Sequence, residues 1–261
     1  MIYIYPVGGL GNMFFHIASI YTLAKDNGDD ICLLNIDEKI KELDAATNIT
    51  DTWSDTKHSV KYRYFLDRFP QKVGDVPQKI THPFQYVPIT YRPETRYFGY
   101  FQTEKYFKHR RNEILELFKP DDSFQEKINE YSDLFNSISL HVRRSWVNLK
   151  LNHIHLVHTM DYYERALALL PKELRVLVFS DDLEWCKENF IGDRFIFIDE
   201  IDYISIYLMG KMDYHIISSS TFSWWGAWLS DSKKVISPVR LYGTGRNIPE
   251  GDVIPENWIK I

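Results

Sequence analysis

Apolar positions along this chain fall into short blocks separated by glycine- or proline-rich turns, and their spacing alternates between two periods. Met1-Ile-Tyr-Ile-Tyr5, rich in branched and aromatic side chains, predicts a short buried strand. Beyond Gly8-Gly-Leu-Gly11, Phe14, Ile17, Ala18 and Tyr21 recur at helical spacing, which predicts a helix starting near Asn12. Asn12 suits an N-cap, because its side-chain oxygen can accept a free backbone N–H. Ile31 to Leu34 reads as a second strand, completing the strand–loop–helix–strand unit of a layered α/β domain. From Thr47 to Pro93 the pattern breaks. Pro70, Pro77, Pro83, Pro88 and Pro93 predict irregular structure there. Arg96 to Gln102 reads as a strand, followed by a helix carrying Phe107, Ile114, Leu117 and Phe118. Pro120 and Asp121-Asp122 mark a boundary, giving an N-terminal α/β domain over 1–120 and a second over 121–261. The second half alternates more regularly. Strands are expected at Ser137–Leu140, Leu174–Phe179, Phe195–Ile198, His215–Ser218 and Val235–Ser237, with helices between them, one from Met160 to Leu170. That rhythm predicts a parallel sheet covered by helices on both faces.

Composition narrows the function classes. Thirty-one basic against 36 acidic residues give a net charge of −5 with histidine neutral, which argues against a nucleic-acid partner. Two cysteines, Cys32 and Cys186, exclude a disulfide scaffold and an all-cysteine metal site, and fit a reducing cytosol. Residues 1–24 hold no Lys, Arg, Asp or Glu, yet lack the basic flank of a secretory signal, and Pro6 and the glycines interrupt them. A strand, a turn and a buried helix explain that stretch better than export does. The expected location is the cytoplasm, with at most peripheral membrane association.

Four motifs could carry chemistry, and three of them follow predicted strands. In open α/β sheets, ligands bind beyond the carboxyl ends of the strands. Gly8-Gly-Leu-Gly-Asn12 could bring backbone close to an anion at a helix start, with Gly9, Gly11 and Asn12 as contacts, or it could be only a tight turn. It lacks the spacing of the dinucleotide fingerprint. His141-Val-Arg-Arg144 places two fork-shaped guanidinium groups at a strand end, suited to a diphosphate; surface ion pairing is the alternative. Phe179-Ser-Asp-Asp182 offers Asp181 and Asp182 to the paired N–H donors of a guanine edge, or simply starts a helix. Ser218-Ser-Ser-Thr-Phe-Ser-Trp-Trp225 crowds hydroxyls at a strand-to-helix junction. There Ser219, Ser220, Thr221, Phe222 and Ser223 form a second phosphate cradle, while Trp224 and Trp228 read as core. His153, His155 and His158 cluster without acidic or cysteine partners at metal spacing, and no Asp-x-Asp triplet occurs.

Taken together, these residues resemble the α-1,2-fucosyltransferases of glycosyltransferase family 11. The resemblance rests on five ordered motifs: Gly8–Asn12, Gly99-Tyr-Phe-Gln-Thr-Glu-Lys-Tyr-Phe107, His141–Arg144, Phe179–Asp182 and Ser218–Trp225. It implies an α/β fold of the GT-B type, with two Rossmann-like domains facing a cleft. The C-terminal domain would bind GDP-fucose, and the N-terminal domain would offer the glycan acceptor and the glycine loop. It also implies inverting transfer of fucose to the 2-hydroxyl of a terminal sugar, galactose, in a surface glycan, without a metal or other cofactor. Arg143 and Asn12 would be catalytic, with His141 and Arg144 among the donor contacts and His16, His153 and His155 on the acceptor side. The chain departs from the family pattern His-x-Arg-Arg-x-Asp, since Ser145 and Trp146 follow the arginines, and Met13 stands where glutamine is common. Two other readings fit the same residues: a GT-B enzyme with another donor or linkage, and a catalytically silent nucleotide- or glycan-binding protein.

Overall fold

The branched and aromatic blocks form two sheets in which every pairing is parallel. The computed structural model describes residues 1–42, 58–144, 156–243 and 251–261. Among these, the chain divides into a first unit, Met1–Lys119 with Gly251–Pro255, and a second, Pro120–Glu250 with Glu256–Ile261. Residues 251–255 therefore belong with the first unit, where Asp252 pairs with Lys105 and Val253 and Ile254 are buried.

The first unit carries β1 (Ile2–Ile4), β2 (Ile31–Leu34), β3 (Gln71–Lys72), β4 (Gln78–Thr81) and β5 (Thr95–Phe98), in the order β3-β2-β1-β5-β4. Central β1 is wholly buried and pairs Ile2 with Ile31 on one side and Tyr3 with Arg96 on the other. Helix α1 (Leu10–Asp26) is apolar nearly all round, so most of it is buried. It packs Phe14 flat against Phe118, with centroids 4.2 Å apart.

The described part of the proline-rich stretch is more regular than expected. It holds α2 (His58–Leu66) and the strands β3 and β4. Pro70 and Pro77 stand immediately before β3 and β4, where no ladder N–H is lost. Both strands lie at sheet edges and are largely exposed, so neither leaves a hydrophobic period in the sequence. In contrast, the strand expected to run to Gln102 stops at Phe98.

The second unit carries β6 (Ser137–Val142), β7 (Arg175–Ser180), β8 (Phe195–Ile198), β9 (Tyr214–Ile216), β10 (Lys234–Ser237) and β11 (Ile259–Lys260), in the order β11-β10-β9-β6-β7-β8. All six residues of β6 are buried, as a central strand covered on both faces requires. Helices α3 (Arg111–Leu117), α4 (Asp122–Asn129), α5 (Met160–Ala168), α6 (Leu183–Asn189), α7 (Asp202–Met209) and α8 (Thr221–Trp228) complete the described set used below. Trp224 and Trp228 stack within the core, and Cys32 and Cys186 are buried thiols. Among the described residues no helix is long and apolar enough to cross a membrane.

Each sheet has one place where the chain reverses its direction of travel across the strands. In the first unit the chain runs outward from β1 to β2 and β3, then restarts on the other side at β4 and β5. In the second it runs from β6 to β7 and β8, then restarts at β9. Loops leaving the two strands at such a point diverge and open a crevice. The motifs Gly8–Asn12 and Gly99–Gln102 leave β1 and β5; His141–Arg144 and Ser218–Ser223 straddle the ends of β6 and β9.

Candidate active site

In the first unit the glycine loop turns directly into α1. Gly9, with no side-chain cap, occupies the N-cap position, and Asn12 lies inside the first turn. The expectation that Asn12 caps the helix is corrected: its Oδ1 instead accepts a 2.9 Å hydrogen bond from Gln102 Nε2. Gly8 explains why the loop tolerates this. Its φ is +69°, a conformation that side chains resist, and a Cβ there would stand 2.3 Å from Asn12 Nδ2. The amide of Asn12 therefore lies over the bare backbone of Gly8. His16, expected on the acceptor side, is fully buried. Its Nε2 shares a 3.0 Å bond with the Tyr97 carbonyl, its ring stacks on Phe101, and burial pushes its pKa down to about 4. It is a neutral core histidine, which corrects that expectation.

In the second unit the arginine pair leaves β6 toward the start of the loop after β7. Arg143 Nη1 stands 2.8 Å from Asp181 Oδ2, and the Arg144 backbone N–H donates to Asp181 Oδ1 at 2.6 Å. The Asp181 side chain is fully enclosed, whereas Arg143 keeps 37% of its side chain exposed. Both carboxylate oxygens are thus turned onto the arginine turn, and none is open to a base edge. That corrects the reading of Asp181 as a guanine contact; it is an anchor for Arg143. Asp182 caps α6 through the Trp185 N–H at 3.1 Å. Its second oxygen lies 3.6 Å from Arg144 Nε, and about a third of the side chain is exposed. Arg144 lays its guanidinium over the Trp185 ring at 3.9 Å, a cation–π contact that holds it against the protein. The two arginines differ accordingly: one is held from behind with an open face, the other is packed down.

The serine-rich junction meets this turn through His141. That residue is 1% exposed, and its Nδ1 shares a 2.7 Å bond with Ser218 Oγ. Burial, reinforced by the neighbouring Arg143 charge, lowers its pKa to about 3, so it is a neutral strut between β6 and β9 and not a direct ligand contact. Ser220 caps α8 through the Phe222 N–H. Ser223 is buried, accepting from the Ser218 N–H and donating to the Ser220 carbonyl at 3.3 Å each, which makes it a brace for the junction. Ser219, Ser220, Thr221 and Phe222 stay partly accessible around the helix start. Ser219 Oγ also shares a 2.7 Å bond with His158 Nε2, whose ring lies 4.5 Å from that of Tyr162. His153, His155, Ser145 and Trp146 lie outside the described residues. Among the described residues no group of three His, Cys, Asp or Glu stands together as metal ligands.

Sequence reasoning overlooked Gln102, Trp185 and the contact of His158. Gln102 lies in the Gly99–Phe107 motif, where the residue pattern predicts only the end of a strand. Trp185 is three residues beyond Asp182, on the first turn of the helix that Asp182 starts, and that offset was the available signal.

The chain is similar to several known glycosyltransferases. An α-1,2-colitosyltransferase of Escherichia coli is 34% identical over 182 residues, covering 63% of this chain and 62% of the relative. The O-antigen biosynthesis glycosyltransferase WbnK of Escherichia coli is 33% identical, covering 63% of this chain and 60% of the relative. The chain thus matches about three fifths of the length of these two relatives. A galactoside α-(1,2)-fucosyltransferase 2 of Oryctolagus cuniculus is 22% identical over 98% of this chain and 75% of its own length. Among solved structures, fucosyltransferase NodZ from Bradyrhizobium shares the fold with a TM-score of 0.54 at 14% identity, covering 88% of this chain and 93% of NodZ. The fold is α/β, of the GT-B type that the motifs implied. The family model described as glycosyl transferase family 11 matches residues 1–261 from end to end, and the chain belongs to that family.

Proposed function

We propose that this protein transfers fucose from GDP-β-L-fucose to the 2-hydroxyl of a terminal galactose on a glycan, with inversion at the anomeric carbon. The observation that carries this is Arg143, anchored by the enclosed Asp181 and open on its other face, beside the accessible start of α8. In the reaction the acceptor oxygen attacks the anomeric carbon opposite the diphosphate. The bond from that carbon to the β-phosphate oxygen breaks, its electron pair leaves with GDP, and the proton of the acceptor hydroxyl passes to water. Charge grows on the phosphate as the sugar becomes cation-like. A guanidinium fixed in advance stabilises that charge more in the transition state than in the ground state. The N–H groups at the start of α8, with the Ser219, Ser220 and Thr221 hydroxyls, supply further donors for the diphosphate. Asp182 takes the guanine edge. Asn12 offers amide protons to a sugar oxygen, with Gly9 allowing close approach of backbone. The family position for a carboxylate after the arginines holds Trp146, and Asp181 orients Arg143. The product fits the assembly of a surface polysaccharide at the cytoplasmic side of a membrane.

A second donor has a specific observation behind it: the 34% identity to a colitosyltransferase. Colitose is fucose lacking the 3-hydroxyl, and the same diphosphate chemistry serves both. The test is GDP release and product formation with lactose, comparing GDP-fucose, GDP-colitose and GDP-mannose. Turnover of GDP-fucose with an α-1,2-linked product supports the proposal. Preference for GDP-colitose moves the donor, and GDP binding without turnover of any donor sinks the enzymatic reading.

A further inference from the structure

Asn12 sits in the first turn of a helix, where nothing in α1 itself decides which end of its carboxamide faces outward. That choice is made by a residue 90 positions away. Gln102 is 5% exposed, and its Nε2 donates to Asn12 Oδ1 at 2.9 Å. A donor placed on Oδ1 leaves Nδ2, with its two protons, on the other side, over Gly8. Gly8 has no side chain to cover it.

The turn that delivers Gln102 is unusually constrained. Phe101, just before it, has a φ of +51°, in the left-handed region that aromatic residues avoid. The Thr103 N–H bonds back to the Phe101 carbonyl at 2.8 Å, closing the chain tightly around Gln102. Phe101 is 1% exposed and held by ring contacts with His16 at 5.2 Å, His82 at 5.1 Å and Tyr106 at 5.7 Å. Gly99 gives the room, since a Cβ there would come within 3.0 Å of both His82 Cβ and the Phe101 ring. Strained backbone persists where the surroundings over-determine it and where a side chain must be aimed. Here the side chain at the apex is the one that fixes the amide of Asn12.

We infer that Gln102 is a positioning residue. It locks the Asn12 carboxamide so that Nδ2 is presented as a fixed two-proton donor at the mouth of the glycine loop. This rests on the reading of Asn12 as a substrate contact. The ligand that suits such a donor is an oxygen carrying growing negative charge or a ring hydroxyl, and preorganisation matters most in the transition state. The buried cluster of His16, Phe101, His82 and Tyr106 then acts as the mould that keeps the turn in place. That gives the neutral His16 a purpose one step removed from the substrate.

The experiment is steady-state kinetics of the full chain with GDP-fucose and lactose, on Gln102→Leu, Gln102→Glu, Asn12→Ala and the Asn12→Ala/Gln102→Leu double variant. Gln102→Leu removes the donor and lowers kcat about tenfold, the effect of a lost positioning contact, while KM for GDP-fucose changes little. Gln102→Glu presents only acceptors, so it turns the amide of Asn12 around and lowers kcat at least as much. In the Asn12→Ala background Gln102→Leu adds less than about twofold, because the two act as one unit. Full multiplication of the two single effects, or wild-type kcat for Gln102→Glu, overturns the positioning role while leaving Asn12 as a contact. Wild-type kcat for Asn12→Ala overturns the reading of Asn12 and the inference with it. Should Gln102→Leu fail to fold, the near-isosteric Gln102→Glu carries the test alone.

Discussion

The two switch points are built alike and equipped oppositely. Each is the divergence of loops from neighbouring parallel strands, β1 with β5 in the first unit and β6 with β9 in the second. At the first, the polar contact is neutral: an amide held by an amide over a bare glycine. At the second, two guanidinium groups are set by two carboxylates and a stacked indole, beside a hydroxyl-lined helix start. The sheet supplies the crevice in both cases, and the loops decide what it does. Fixed charge suits a diphosphate, whose charge rises during bond cleavage. Neutral donors suit sugar oxygens, which need direction more than field. Buried histidines at both places are neutral and act as struts, with pKa values pushed down to about 4 for His16 and about 3 for His141.

The contrast breaks most decisively at Arg143. Arg143→Lys keeps the charge but loses the fork, so kcat should fall by about a hundredfold, the scale of losing one transition-state donor. Donor affinity should fall less. Near-wild-type turnover of a folded Arg143→Ala would remove the charged site from the reaction. The anchor sharpens the same point. Asp181→Asn should cost about tenfold in kcat by releasing Arg143, and it should add little to Arg143→Lys, since both changes disable one unit. Independent multiplication of the two losses would mean that Asp181 only supports the fold.

At the neutral site the corresponding change is Gly8→Ala. A side chain there meets both the positive φ and the Asn12 amide at 2.3 Å, so stability should drop by roughly 1–2 kcal/mol and Asn12 should be displaced. Gly9→Ala is the informative partner. Gly9 has an ordinary extended backbone, φ −80°, and an added Cβ meets nothing within 4 Å, so its thermal midpoint should match the wild type. Equal destabilisation by both substitutions would show that the loop needs flexibility and not the particular shape described.

Acid stability addresses the struts. His16, His141, His158 and His215 are all held well below the usual histidine range by burial. Once unfolded, each takes up a proton near about pH 6.5, whereas the folded groups resist down to about pH 3–4. The unfolded state therefore binds more protons in that window, and stability is present above about pH 6.5 and lost as pH falls through it. Between about pH 6.5 and 5 few carboxylates titrate, so a falling thermal midpoint there reports the histidines. A flat midpoint across that interval would mean that these rings find charged partners after all.

How much of this was legible in the sequence divides along the same line. Buried parallel strands announce themselves: β7 carries the apolar run Val176–Phe179, and β6 alternates Ile138, Leu140 and Val142 with two serines and a histidine; the edge strands β3 and β4 leave no such pattern. The motifs at the strand ends were legible as candidate chemistry, and the structure gathers His141–Arg144, Phe179–Asp182 and Ser218–Ser223 at neighbouring strand ends. Direction was not legible. Nothing in the spacing of Asp181 and Asp182 says that the first turns inward to Arg143 while the second faces out over a helix start. Nor does a histidine in a motif reveal whether it touches ligand or neighbour, and His16 and His141 both touch neighbours. The left-handed Phe101 was hidden for a further reason: no local sequence rule places an aromatic residue at positive φ, and only the surrounding rings enforce it.

The smallest expected effect concerns metal ions, and it follows from the charged side of the comparison. A diphosphate leaving group needs its charge met, by a bound cation or by the protein. Here Arg143 has an open face, Arg144 lies beside it, and the N–H groups at the start of α8 complete a positive lining. Of the carboxylates in the same place, Asp181 is enclosed on the arginine turn, and Asp182 spends one oxygen on the start of α6, which leaves a single outward oxygen beside Arg144. A divalent ion needing a second carboxylate would have to pull Asp181 away, undoing the anchor of Arg143 in the process. Turnover should therefore be unchanged, within about twofold, in excess chelator and after added magnesium or manganese. The measurement is GDP release from GDP-fucose with lactose, before and after dialysis against chelator. Loss of activity that manganese restores would transfer the charge compensation from Arg143 to a metal, and the division between a charged and a neutral switch point would have to be redrawn.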